Sequence, residues 1–335
     1  MTRVLITGVA GFLGSHLADR FLSEGHSVVG VDNLIGGYLE NVPSGVEFYE
    51  QDLGNFSSLK PCLNDVDIVV HSACTAYEGL SVFSPSLVVQ NTTQITTNVL
   101  SASIQAGVKR FVYMSSMARY GTQDSLPFVE EMTPKPQDPY GIAKYASELL
   151  VRNISEVHGM EHVILVPHNI IGPRQKFDDP YRNVASIMIN RFLHNKQPII
   201  YGNGQQRRCF SFIQDVTDPI YRACFEDSAT SRVINIGPDE EFITINELAF
   251  MIAQIMNLEC KPIYVEDRPQ EVFEANCSAD LARKILNYRT QIDLQQGLTE
   301  LVEWIAKQPR RDFTYHLPLE IQNEKTPKTW LKRLI

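Results

Sequence analysis

From Arg3 onward, short apolar runs alternate with longer amphipathic stretches. RVLITG, SVVGVD, VEFYEQD, DIVVHSA, RFVYMSS and VILVPHN have the length and β-branched content of buried strands. Between them, FLGSHLADRFLSEG and TTNVLSASIQAG repeat their apolar residues at helical spacing. Strand and helix in alternation predict an α/β fold whose sheet is parallel and doubly wound. After Asn169 the rhythm loosens into Gly- and Pro-bearing loops, IIGPRQKFDDPYRN and IIYGNGQQRRCF, with helices expected near 244–257 and 279–286. The expected division is therefore a first domain at 1–168 and a smaller, mainly C-terminal lobe at 169–335, with some of its segments returning to the first. The tail from Pro309 has isolated apolar residues, Trp330 among them, and no period; its role is not legible.

Charge and cysteine content narrow the partners. Thirty basic against 39 acidic side chains leave a net charge of −9, which argues against nucleic acid or an anionic membrane as the main partner. Any anionic ligand must then meet locally placed cations. Cysteines at 62, 74, 209, 224, 260 and 277 form no C-x-x-C pair and no metal spacing, so free thiols and no metal site are expected. No basic segment precedes an apolar run at the start, and no run of 18 apolar residues follows, so a cytoplasmic protein is expected.

The first chemical signal lies where the opening strand meets its helix. Gly8, Gly11 and Gly14 leave bare backbone there, so that a pyrophosphate could approach the helix N-terminus. Their G-x-x-G-x-x-G spacing departs from the usual dinucleotide fingerprint G-x-G-x-x-G. Asp32 ends the second strand eighteen residues after Gly14, where a carboxylate can accept hydrogen bonds from an adenosine ribose and repel a 2′-phosphate. Together they point to a Rossmann-type domain binding NAD rather than NADP. Asp52, at the end of the third strand, is placed for the adenine side. The fifth strand ends in Ser115 and Ser116, and the carboxyl ends of parallel strands face the ligand crevice. In DPYGIAKYASELL, Tyr140 and Lys144 stand four apart on one helix face. An ammonium beside a phenol favours the phenolate and lowers the ordinary pKa of about 10, which would make Tyr140 a base.

TGVAGFLG, VDN, SSMARYG, YGIAK, HNIIGPRQ, YGNGQQRRCFSFIQDV and DRPQEV together resemble, in order and over about residues 3–306, the extended short-chain dehydrogenase/reductases, in particular nucleotide-sugar epimerases and dehydratases. The resemblance implies Ser116, Tyr140 and Lys144 as the catalytic set. It implies NAD contacts from Gly8, Gly11, Phe12, Leu13, Asp32, Asn33, Asp52 and Leu53 as well as Tyr140 and Lys144. On the substrate side it implies Ser116, Asn169, Arg208, Arg268, Glu271 and Ala275, with the arginines on the sugar-nucleotide diphosphate and the small Ala275 leaving room for a 2-acetamido group. A homodimer is usual in such enzymes. The expected chemistry is oxidation of a sugar hydroxyl to a 4-ketone, rotation of the ketosugar and return of hydride to its other face, which is 4-epimerisation of a UDP-hexose or UDP-N-acetylhexosamine. Dehydratases of the group carry Asp-Glu after the catalytic hydroxyl residue, whereas Met117 and Ala118 stand here and transfer no proton. Further departures are Cys209 for an Asp, Gln270-Glu271 for Gly-Asp and His168 for an aromatic. Rival readings are a nucleotide-sugar 4-dehydrogenase, reductase or decarboxylase and, more remotely, a non-catalytic NAD sensor.

Overall fold

The computed structural model describes all 335 residues. Six parallel strands follow the apolar runs: β1 (Arg3–Thr7), β2 (Ser27–Asp32), β3 (Val46–Glu50), β4 (Ile68–His71), β5 (Arg110–Met114) and β6 (Glu161–Pro167). A seventh, Val233–Ile236, pairs with β6, so the order across the sheet is Val233–Ile236, β6, β5, β4, β1, β2, β3. The sequence reading had no strand there. Because the chain leaves β1 in one direction for β2 and β3 and returns on the other side for β4, a crevice opens at the carboxyl ends of β1 and β4.

Both faces of this sheet are covered, as a parallel sheet requires. Side chains alternate: Leu5, Val29, Val69, Phe111 and Ile164 enter one apolar cluster, while Val4, Ile6, Val70, Val112 and Leu165 enter another on the opposite face. One polar bridge ties the layers. His71 Nδ1 lies 2.8 Å from Thr7 Oγ1 and its Nε2 lies 3.0 Å from Thr96 Oγ1, joining β1, β4 and the helix Ile95–Gln105. Burial lowers the His71 pKa to about 3, so the ring is neutral.

The second half builds its own apolar cluster from the helices Val184–Leu193, Ile245–Ile255 and Leu294–Lys307, and Phe12 of helix α1 (Phe12–Ser23) belongs to it too. The helices Ile213–Ala223 and Asp280–Leu286 pack instead on the first sheet's core, through Val216, Ile220, Ala282 and Leu286. The tail is ordered by anchors rather than by a period. Leu317, Trp330 and Ile335 are buried with Tyr77, Leu80, Phe83 and Tyr181. No helix is long and apolar enough to cross a membrane.

Candidate active site

A cleft of about 440 Å³ runs along the carboxyl ends of the strands between the two halves. At β1 the chain turns at Gly8, whose φ of +73° favours glycine, and enters α1 through Gly11, which offers no side-chain cap. A Cβ on Gly14 would overlap the Gly8 carbonyl, so the turn and the first helical turn are in backbone contact. The uncapped N–H groups of α1 therefore face the cleft with the positive end of the helix dipole, which suits a pyrophosphate. Asp32 is buried at the end of β2. Its carboxylate accepts from the Ala10 N–H (3.0 Å) and the Leu34 N–H (2.8 Å), which fixes its direction and leaves lone pairs for a ribose. Burial raises its pKa, and those N–H donors and Arg182 oppose the rise. Gly8, Gly11, Phe12, Leu13, Asp32, Asn33, Asp52 and Leu53 all line this cleft. The donor and acceptor set fits a dinucleotide.

Tyr140 and Lys144 come from the first turns of the helix Pro139–His158. Asp138 caps it, accepting from the Gly141 N–H at 2.9 Å; Pro139 supplies a fixed φ at the start, and Gly159 in the left-handed region ends it. Both side chains are buried, and Lys144 Nζ donates to the Met114 carbonyl at the end of β5 (2.7 Å). Nζ stands 5.9 Å from the Tyr140 ring centre. Ser116, just beyond β5, caps a short turn by accepting from the Ala118 N–H at 3.2 Å. The neighbouring Ser115 hydroxyl donates to Glu148, whose carboxylate is paired with Arg119 (2.9 Å) in a fully buried bridge behind the site.

Here the electrostatic expectation is corrected. Burial pushes the Tyr140 phenol well above its ordinary pKa, and the opposing pull of Lys144 and Ser116 does not offset it. The Lys144 ammonium is itself held charged: burial works against the charge, but Cys74, Tyr113 and Tyr140 raise its pKa further. The charge that the base needs is therefore in place, while the phenol is protonated.

Beyond Tyr140 the cleft holds Asn169, Arg208, Arg268 and Glu271. Asn169 Nδ2 donates to the Cys209 carbonyl (3.1 Å). Arg208 is clamped by the carbonyls of Arg207, Val272 and Phe273 at 2.9, 2.5 and 3.1 Å. Arg268 meets Glu271 through two hydrogen bonds of 3.2 and 3.1 Å and stacks on Tyr201. Glu271 lies 3.9 Å from Arg208 as well, so one carboxylate sits between both guanidinium groups. Those two cations keep it below the usual carboxylate range against its burial.

Ala275 is not part of the lining. It pairs beside Arg208 in a small sheet and is buried in the apolar cluster that holds Tyr120, Phe128 and Cys277. The expected pocket wall is thus replaced by core packing, because pairing beside Arg208 turns the Ala275 methyl into that cluster. Sequence reasoning also missed residues that do line the cleft. Cys74, Glu78 and Gly79 follow β4, Asn91 precedes the helix Ile95–Gln105, and Tyr181 and Arg182 come from the loop FDDPYRN. Only the polar and aromatic content of that loop hinted at them.

The model for the NAD dependent epimerase/dehydratase family matches residues 4–237. The chain is similar to a putative UDP-glucose 4-epimerase of Methanocaldococcus jannaschii, with 31% identity over 92% of this chain and 99% of the relative. Among solved structures it is similar to a UDP-glucose 4-epimerase of Thermotoga maritima with UDP-glucose (29% identity, TM-score 0.87, 91% of this chain and 99% of that one). It is also similar to a UDP-glucuronic acid 4-epimerase of Bacillus cereus with UDP-glucuronic acid and NAD (27%, TM-score 0.84, 91% and 99%). With the glycine turn, Asp32 and the Tyr140–Lys144 helix gathered on one doubly wound sheet, this chain belongs to the NAD-dependent epimerase/dehydratase family.

Proposed function

We propose that the protein is an NAD-dependent 4-epimerase of a nucleoside-diphosphate hexose or N-acetylhexosamine, acting through a transient 4-keto sugar. The observation that carries the reading is a single cleft in which Tyr140, Ser116 and Lys144 stand between a glycine turn suited to a dinucleotide and a pair of arginines suited to a diphosphate. Gly8, Gly11, Phe12, Leu13, Asp32, Asn33, Asp52 and Leu53 would hold the cofactor, whose nicotinamide takes up and returns a hydride when bound. Ser116 orients the reacting sugar oxygen, and Tyr140 takes its proton in the deprotonated form that Lys144 stabilises and that grows towards alkaline pH, then returns it. The forked Arg208 and Arg268 hold the diphosphate oxygens, with Asn169 and Glu271 beside them. Anchored at the diphosphate, the ketosugar can turn and accept hydride on the other face. Met117 and Ala118 offer no acid or base for elimination, which supports epimerisation over dehydration.

In this reading residues 1–168 supply the cofactor side and 169–335 mainly the substrate side. A reducing cytoplasm fits the six free thiols, and a homodimer is what the resemblance implies. The test is turnover without added NAD. An epimerase regenerates its cofactor and interconverts UDP-glucose and UDP-galactose, or their N-acetyl forms, catalytically. Stoichiometric NADH with a stable oxidised product replaces the reading with a dehydrogenase, and CO2 with a shortened sugar from UDP-glucuronate, with or without NADH, replaces it with a decarboxylase.

A further inference from the structure

Glu78 opens the short helix Glu78–Ser81 after β4 and projects into the cleft, where it is exposed. The helix is firmly held on both sides. The preceding Tyr77 donates its hydroxyl to Asp179 at 2.5 Å, Leu80 is buried with Trp330, and Ser81 donates to Asp138 at 3.3 Å. At Gly79 the backbone lies against Arg268: a Cβ there would stand 3.0 Å from its Nη1. Glu271 is paired with the arginines, whereas the Glu78 carboxylate faces the cleft and makes no hydrogen bond. The charges around it come from both ends of the reacting region. Arg208, Arg268, Glu271, Asp138 and Tyr140 all act on it, and its helix touches Arg268 at Gly79 and Asp138 through Ser81. Glu78 thus lies between the acid/base pair and the diphosphate grip.

On the reading above, that interval is where the hexose sits. We infer that Glu78 is a specificity-determining residue that runs alongside the sugar, admits neutral hexoses and N-acylated amino sugars, and disfavours hexuronates. A carboxylate accepts hydrogen bonds from sugar hydroxyls or an amide N–H and repels a second carboxylate. Rotation of the ketosugar makes this stringent. The ring shows its C2–C3 edge and its C5–C6 edge in turn to any fixed side chain, so an anionic C6 meets Glu78 in one of the two half-reactions.

Although the side chain is open to the cleft, the protein mass around it, reinforced by the negative charge of Asp138, pushes the Glu78 pKa up to about 7. It therefore loses its proton between about pH 6 and 8, and the discrimination grows over that range while a hexuronate stays ionised throughout. The experiment is calorimetric titration of the NAD-loaded protein with UDP-glucose, UDP-N-acetylglucosamine and UDP-glucuronate at pH 6 and pH 8, for the parent, Glu78→Gln and Glu78→Ala. The parent should bind UDP-glucuronate at least about tenfold more weakly than UDP-glucose at pH 8, and less so at pH 6. Either variant should narrow the gap to within about threefold and remove its pH dependence. Equal binding of the two sugars by the parent at pH 8, or an unchanged gap in both variants, overturns the assignment while leaving the epimerase reading standing. A protein that binds none of the three overturns both.

Discussion

The two ends of the cleft reach the same purpose by different means. At the cofactor end the working groups are backbone: bare glycines, uncapped N–H groups and a carboxylate already oriented by two amide donors, all fixed by a seven-stranded ladder. At the substrate end they are side chains, Asn169 and Arg208 on strands of three and two residues and Arg268 and Glu271 on a loop, and the arginines are neutralised by a carboxylate of the protein itself. The first end is preorganised and tolerates no added atom. On the proposed reading the second exchanges one anion for another, since a diphosphate that takes up Arg268 would displace or reorient Glu271. The difference teaches that affinity at the first end is set by shape and at the second by charge.

The sharpest way to break this contrast is Gly14→Ala. One methyl against the Gly8 carbonyl should lower NAD affinity by about 100-fold or more and depress thermal stability as well. Unchanged titration with NAD would show that the turn gives way freely. At the junction of the two ends, Tyr140→Phe should cut turnover by about 10² or more with NAD affinity intact. Since burial holds the phenol protonated, parent turnover should rise towards alkaline pH, and Lys144→Ala should move that rise to higher pH by removing the cation that lowers it. A Phe variant with full activity would remove Tyr140 from the chemistry. Arg268→Ala should raise KM about tenfold or more with a smaller change in kcat, since a charge-assisted contact is lost. It should also weaken the dependence of KM on salt; a variant whose KM follows salt as steeply as the parent would argue against charge as the determinant. The mildest expected effect is at Asp32. The parent should prefer NAD to NADP, and Asp32→Ala should narrow that preference about tenfold by removing repulsion of the 2′-phosphate. Equal affinity of the parent for the two cofactors would overturn the assignment.

The same contrast explains what the sequence made legible. Six strands announced themselves as apolar runs, and the Tyr140–Lys144 face followed from helical spacing alone. Val233–Ile236 did not, because three apolar residues interrupted by Asn235 carry no period of their own and their partner strand is far away in sequence. The tail was opaque for a related reason: Leu317, Trp330 and Ile335 are single anchors of an irregular strap, and only the surface beneath them gives them meaning. Glu78 carried no motif. The expectation that the Tyr140 pKa falls below its ordinary value failed in direction, since spacing reveals a charge partner but not how deeply both are buried. Ala275 failed because counting positions along a loop does not show which way a side chain on the short strand after it faces.

The late seventh strand has a consequence in time. Its pairing partner β6 is finished about 70 residues earlier, at Ile164 against Val233. At roughly 5–20 residues per second of synthesis, that apolar strand waits several seconds with one edge unpaired. A nascent chain in that interval exposes a ready template for pairing with a neighbour. Slowed translation between these two segments should therefore cost soluble yield more than slowing placed after Ile236.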